Sequence, residues 1–201
     1  MFKKTGFLVL LTLHCTAFAA PTDMQFGAVA ISKTSEQTLH HSGMLQLDDV
    51  KVADSTLVNG FLAAKHSQFH ELTVNGQCAL ENTELLGPVS VNGQLLLKHV
   101  NADAPVTVFG FLGARNAIFT QPVTVKSSNL DFIDSTLQSL TIGDVQGNPT
   151  QTLNLTRTKV NGGITFESGN GIVKMDPASN IKGKVTGGTI EKVAAKPEGK
   201  K

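Results

Sequence analysis

The chain has 201 residues, 40% hydrophobic and 16% charged, with a formal net charge of +1. This composition supplies a core, which excludes a disordered chain, and its charge excludes any general pull towards nucleic acid or acidic lipid. Nineteen glycines with no tryptophan or tyrosine favour short strands and tight turns, and argue against a saccharide groove floored by stacking rings.

Residues 1–19 read as a secretory signal peptide. Lys3 and Lys4 form a positive start, residues 6–13 are apolar but too short to span a bilayer, and Ala17-Phe18-Ala19 is a small-residue cleavage site. Cleavage after Ala19 predicts an exported protein, periplasmic or secreted, with 15 basic and 16 acidic residues. Cys15 leaves with the leader, so Cys78 stands alone and no intramolecular disulfide is expected. A lipid anchor through Cys15 lacks the residues it needs at Thr12 and His14. No later segment is apolar enough to cross a membrane as a helix.

Residues 20–40 do not fit the pattern that follows. Residues 26–31 are strand-like and 32–40 are polar, and the segment is expected to cap the first edge of a repeat array.

From residue 41 one phrase recurs. It reads His41-Ser42-Gly43-Met44-Leu45, Val58-Asn59-Gly60-Phe61-Leu62, Val74-Asn75-Gly76-Gln77-Cys78, Val91-Asn92-Gly93-Gln94-Leu95 and Val108-Phe109-Gly110-Phe111-Leu112. Val125, Ile142, Val160 and Ile181 extend the series, and the central spacings are 16 or 17 residues. Each unit ends apolar–hydroxyl–apolar, as in Val106-Thr107-Val108, which is the alternation of a half-buried strand. Further apolar pairs fall at positions five and seven (Leu62/Ala64, Leu95/Leu97) and ten and twelve (Val50/Val52, Ala117/Phe119). Three apolar pieces per 17 residues are too short for helices and suit three sides of a coil. The chain is therefore read as all-β, a single-stranded parallel β-helix of about nine rungs over residues 41–190, followed by a solvated Lys-rich tail over 191–201. Gly at position three serves a corner, Ser127 changes that corner, and residues 144–151 and 168–171 are loops.

Stacking the units predicts side-chain columns. Position eight reads Asp48, Lys65, Glu81, Lys98, Arg115, alternating in sign over the first four; such pairs contribute ~0.2–1 kcal/mol each. Position two reads Asn59, Asn75, Asn92, an amide ladder.

Candidate chemistry is sparse. His66 and His99 share position nine, but two rungs separate them by roughly 9.6 Å, too far to share one zinc. The adjacent His40 and His41 are a weak metal signal. Asp54 and Glu71 share position fourteen in neighbouring rungs, about 5 Å apart on that register, a separation that serves glycosidic hydrolysis. Cys78 lies between Leu62 and Leu95 in an inward column and reads as a buried hydrophobe. Asn154-Leu155-Thr156 is a glycosylation sequon. No phosphate loop, G-x-S-x-G elbow or H-E-x-x-H occurs, so no catalytic, cofactor or metal residues are assigned.

With these units aligned, residues 41–190 resemble the bactofilins, bacterial polymer-forming β-helix proteins, through the Val-x-Gly-x-Leu phrase at 16–17-residue spacing and the short tails at both ends. The resemblance implies a right-handed triangular β-helix, no nucleotide, and end-to-end assembly. Bactofilins are cytoplasmic, so the leader sets this chain apart from a cytoskeletal role. The expectation is an exported, non-enzymatic β-solenoid acting as a structural or protein-interaction module, its partner a second copy or an envelope or extracellular protein. The alternative is an exported β-helix enzyme or binder acting on envelope or host polysaccharide.

Overall fold

The computed structural model describes residues 25–147 and 149–194. The predicted signal peptide and most of the predicted tail lie outside them. Every strand joins one parallel sheet wound into a coil. The strand Leu39–Lys65 is 27 residues long; drawn straight it would measure about 90 Å, so it bends repeatedly without losing its pairing.

Ten turns stack, with first positions at Gln25, His41, Val58, Val74, Val91, Val108, Val125, Ile142, Phe166 and Gly187. Each turn has three sides. Side A carries the apolar–hydroxyl–apolar pieces, with Leu72, Val89, Val106, Val123, Leu140 and Ile164 in one line. Side B carries Leu62, Cys78, Leu95, Leu112, Leu130, Leu153 and Val173 in another. Side C carries Phe69, Leu85, Ala102, Phe119, Leu137 and Val160. Alternate residues of all three sides point inward and form a single core, within which Phe119 and Phe132 meet edge to face at 6.0 Å.

The three corners have different causes. Between sides A and B, Gly43, Gly60, Gly76, Gly93 and Gly110 adopt φ of 124° to 140°. A Cβ on Gly76 would lie 2.0 Å from the carbonyl oxygen of Gly60, and one on Gly93 2.0 Å from that of Gly76. Only glycine fits. Between sides B and C, one residue per turn is left-handed: Asp49, His66, Asn82, His99, Asn116, Asp134 and Arg157 have φ of 47° to 57°. Asn, Asp and His tolerate that region better than other side chains. The next residue inward is often a hydroxyl. Ser67 Oγ donates to Lys65 O at 2.6 Å and accepts from Val50 N at 3.2 Å; Ser135 and Thr158 repeat the pattern. Between sides C and A, Pro88, Pro105 and Pro122 spare a donor at the bend, and their carbonyls accept from Leu72, Val89 and Val106 of the turn before.

Three sequence expectations are corrected. Of the predicted cap, residues 20–40, the described part belongs to the repeat: Gln25–Glu36 pairs in register with residues 41–52, while 20–24 lie outside the described residues. Its outward Ala28 and Ala30 are apolar like the inward Val29 and Ile31, so the run shows no polar–apolar alternation to mark it as a rung. Val160 and Ile181 do not begin rungs. They stack on each other and on Leu137 along side C, and Ile164-Thr165-Phe166 continues Leu140-Thr141-Ile142. Residues 143–150 lengthen that turn, so counting 17s slips onto the wrong side. The tail does not start at residue 191, because Gly188–Lys192 is the last strand and Val193 N donates to Met175 O at 2.9 Å.

The Ser127 corner changes as anticipated. Leu130 pairs with Leu112, so the corner gains one residue, and Ser127 Oγ bonds both to Asn129 O (2.7 Å) and from Asn129 N (3.1 Å). In the next turn the buried Gln151 amide fills this place. Its Nε2 donates to Ser127 O at 3.0 Å and Gly143 O at 2.8 Å, and its Oε1 accepts from Ser168 Oγ at 2.6 Å.

Candidate functional site

The position-nine column is a backbone feature first. His66 and His99 occupy the left-handed corner at φ 49° and 53°, so residue type there answers to conformation. Their rings join a surface ladder: His66 Nδ1 lies 3.0 Å from Asp48 Oδ1, and Asn116 Nδ2 lies 3.2 Å from His99 Nε2. Asn82 stands between the two histidines in the stack, 3.5 Å from His66 Nε2. Among the described residues no three His, Cys, Asp or Glu side chains gather as metal ligands. His40 and His41 are no chelating pair either. His41 turns inward, with its Nε2 3.0 Å from Gly27 O, while its neighbour in the strand faces the other way.

Asp54 and Glu71 do not stack. Glu71 pairs with Ser55, and the register shifts between Val52 and Ser55. The turn beginning at His41 has 17 residues and the next has 16. The extra residue forms a bulge that holds Asp54 out of Glu71's column, and both carboxylates are exposed. The spacing cited for glycosidic chemistry is therefore not built.

The predicted columns on side B and its first corner are present. Asn75 Nδ2 donates to Asn59 Oδ1 and Asn92 Nδ2 to Asn75 Oδ1, each at 2.8 Å. Glu81 takes Lys98 at 2.5 Å and Lys65 at 3.2 Å, and those two hydrogen bonds, Lys98's first, hold its carboxyl below its ordinary pKa. Asp48 departs from the expected partner by engaging His66. Cys78 is buried between Leu62 and Leu95, and burial pushes its thiol far above its usual pKa, which makes it inert.

What the repeat pattern alone left unmarked is the outer surface of side B. The inward pairs define the register, yet the alternate residues Ala63, Ala79, Leu96 and Gly113 form an outward column where a solvated strand would carry polar groups. Outward small and apolar residues in an alternating strand are a signal the sequence did contain. The column floors a shallow groove of about 460 Å³. One wall is Lys65, Glu81, Lys98 and Arg115; on the other side Phe61, Gln77, Gln94 and Phe111 stack. The Phe111 ring leans over Gly113, where an added Cβ would lie 3.0 Å from it and 3.2 Å from Leu96. Leu96 itself is 42% exposed. The groove has apolar contact area and mixed charge, the properties of a docking surface.

The last four turns hold their polar groups in private pairs. Arg157 clamps Asp134 through Nε and one terminal nitrogen at 2.5 and 2.7 Å, which keeps the Asp134 carboxyl below its usual pKa. Burial alone would raise Asp176, but hydrogen bonds from Ser179 and from the Arg157 amide lower it on balance. The sequon residue Asn154 donates to Asp131 Oδ1 at 2.6 Å. Among the described residues no helix is long and apolar enough to cross a membrane.

No protein-family model matches the chain, and no curated protein or solved structure shows significant similarity to it.

Proposed function

We propose that the protein is an exported, non-enzymatic β-solenoid that serves as a structural or protein-interaction scaffold and assembles with copies of itself. The observation that carries this reading is the matching of side-chain columns from turn to turn. Asn59–Asn75–Asn92, Lys65–Glu81–Lys98 and the corner hydroxyls all bond along the axis, so the polar residues serve the stack rather than converge on a bound molecule. Among the described residues Gln25–Glu36 and Gly188–Lys192 are the outermost strands, and a parallel edge strand can be continued by another chain. The likeness to bactofilins supports assembly along the axis, and the leader-like residues 1–19 support export.

Ten turns give a unit of about 48 Å. Negative-stain imaging and sedimentation of the purified protein over a concentration series are expected to show rods in multiples of that length. A uniform population of single rods at every concentration removes axial assembly. Release of reducing sugar from envelope polysaccharide, abolished by joint Asp54→Asn and Glu71→Gln substitution, would replace the scaffold reading with the enzymatic one. N-terminal sequencing of the protein recovered outside the cytoplasm is expected to begin at Ala20.

A further inference from the structure

We infer that the outer face of side B is a lateral docking surface for a second copy of the chain, paired about a two-fold axis that runs parallel to the coil along the Ala63–Ala79–Leu96–Gly113 column. This rests on the reading of the protein as a self-assembling scaffold and names a surface for it.

The argument begins with what each turn presents. On side B, position four, the central position six and position eight face outward together. Four successive turns show Phe61/Ala63/Lys65, Gln77/Ala79/Glu81, Gln94/Leu96/Lys98 and Phe111/Gly113/Arg115. A two-fold axis along the central column keeps each turn opposite its own counterpart and exchanges positions four and eight. Phe61 then faces Lys65 of the other copy and Phe111 faces Arg115. Both aromatic turns meet a cation, the arrangement a ring face favours. Gln77 meets Glu81 and Gln94 meets Lys98, so each amide meets a charged hydrogen-bonding partner. Leu96 meets Leu96, with Ala79 and Gly113 on either side leaving room for the two side chains to interleave.

The other face-to-face two-fold runs along the strands and inverts the stack. It sets Lys65 against Arg115, a like-charge contact that costs free energy. That pairing also sets Glu81 against Lys98, and the first sets Asp131, which follows Gly113 in the column, against its own counterpart; the two cation–ring contacts, rather than net charge, favour the first. An isologous interface closes on itself, so this contact makes a pair of rods and leaves their ends open.

The face is small. Counting the two turns before Val58, where Met44 is 45% exposed, six turns of about 4.8 Å by five residues of about 3.3 Å give roughly 500 Å² per copy. That falls at the weak end of specific interfaces. Association is therefore expected to be concentration-dependent and to sharpen when rods lie side by side.

Cross-linking tests the symmetry directly. In a Cys15→Ser background, with Cys78 buried, Ala63→Cys and Leu96→Cys are made singly and treated with a short bismaleimide. The two-fold along the column predicts that each variant links to itself. Leu96→Lys and Arg115→Glu are expected to weaken lateral association about tenfold or more in sedimentation, with circular dichroism unchanged. Ile118→Ser, on exposed side C, is expected to leave association unchanged. Three outcomes overturn the proposal: no linking by either variant at millimolar protein; linking of Ala79→Cys only when mixed with Leu96→Cys, which selects the inverted pairing; or a monomer whose groove instead takes up a soluble apolar anion such as anilinonaphthalene sulfonate. Rods that still lengthen in Leu96→Lys leave axial assembly standing, so loss of the lateral contact and loss of the scaffold are read separately.

Discussion

Residues 41–126 and residues 127–192 make the same coil by different means. The first region turns from side A to side B on a bare glycine at φ of 124° to 140°. The bend is made by the backbone alone, so strands run through it and turns keep to 16 or 17 residues. The second region makes that corner with side chains: the Ser127 hydroxyl, then the Gln151 amide reaching Ser127, Gly143 and Ser168. Its strands are two to six residues long and 24 residues separate Ile142 from its stacking partner Phe166. A corner made by the backbone can be copied from turn to turn, whereas one made by a particular side chain fits only where it stands.

The comparison breaks most sharply at the glycines. Gly76→Ala is expected to destabilise the protein by about 3 kcal/mol or more, because the new Cβ meets Gly60 O and the φ of 140° is closed to alanine. Gly147→Ala has open space and φ 84°, and is expected to cost only about 1 kcal/mol. Equal losses by urea denaturation would show that the column has no special place. Gln151→Leu comes next. It strands two carbonyls and a hydroxyl, for an expected loss of about 2–3 kcal/mol. Hydrogen exchange is expected to rise across residues 127–175 and to stay unchanged across 58–110. A uniform rise would mean that the two regions unfold as one.

Acid is expected to separate the regions further. Asp134 and Asp176 have lowered pKa values in the folded state. Their contribution is complete above the unfolded carboxylate value of about 4 and is lost as pH falls through the lower folded values. Among the described residues, two of the three shifted carboxylates lie in residues 127–192, so amide exchange there should rise first on acidification below about pH 4. Asp134→Asn should flatten that response. The smallest effect is expected at the left-handed corner. His99→Asn should leave stability within about 0.5 kcal/mol, since Asn suits φ 53°, whereas His99→Val should cost about 1–2 kcal/mol. A large loss in His99→Asn would give the imidazole a role of its own.

The first region is legible in the sequence because its period is a direct image of its geometry. The position-eight alternation and the Asn column follow from the repeat spacing alone, since stacking decides which side chains meet. The second region is not legible in the same way. Val160-Asn161-Gly162 imitates the repeating phrase, yet Val160 stacks on Leu137, because the insertion at 143–150 carries no mark of which side it lengthens. The carboxylate pair failed for a related reason, as one bulged residue before Ser55 moved Asp54 out of line. The position-nine column falls where the spacing puts it, and its run of Asp, His and Asn is the residue signature of its cause, a positive φ. The groove was within reach: Ala63, Ala79 and Leu96 break the polar half of an alternating strand.

The winding of the coil also fixes how the molecule answers to force. Strands run across the axis, so the backbone hydrogen bonds between turns point along it, and tension on the two ends loads the turns in series. A rod pulled at its ends should therefore yield one coil at a time. Each regular coil releases about 17 residues, or about 55 Å of slack, and the longer coils Ile142–Phe166 and Phe166–Gly187 release about 80 Å and about 70 Å. The extension trace would be a ladder of near-equal steps with two longer ones, a ruler of the chain written in its own winding.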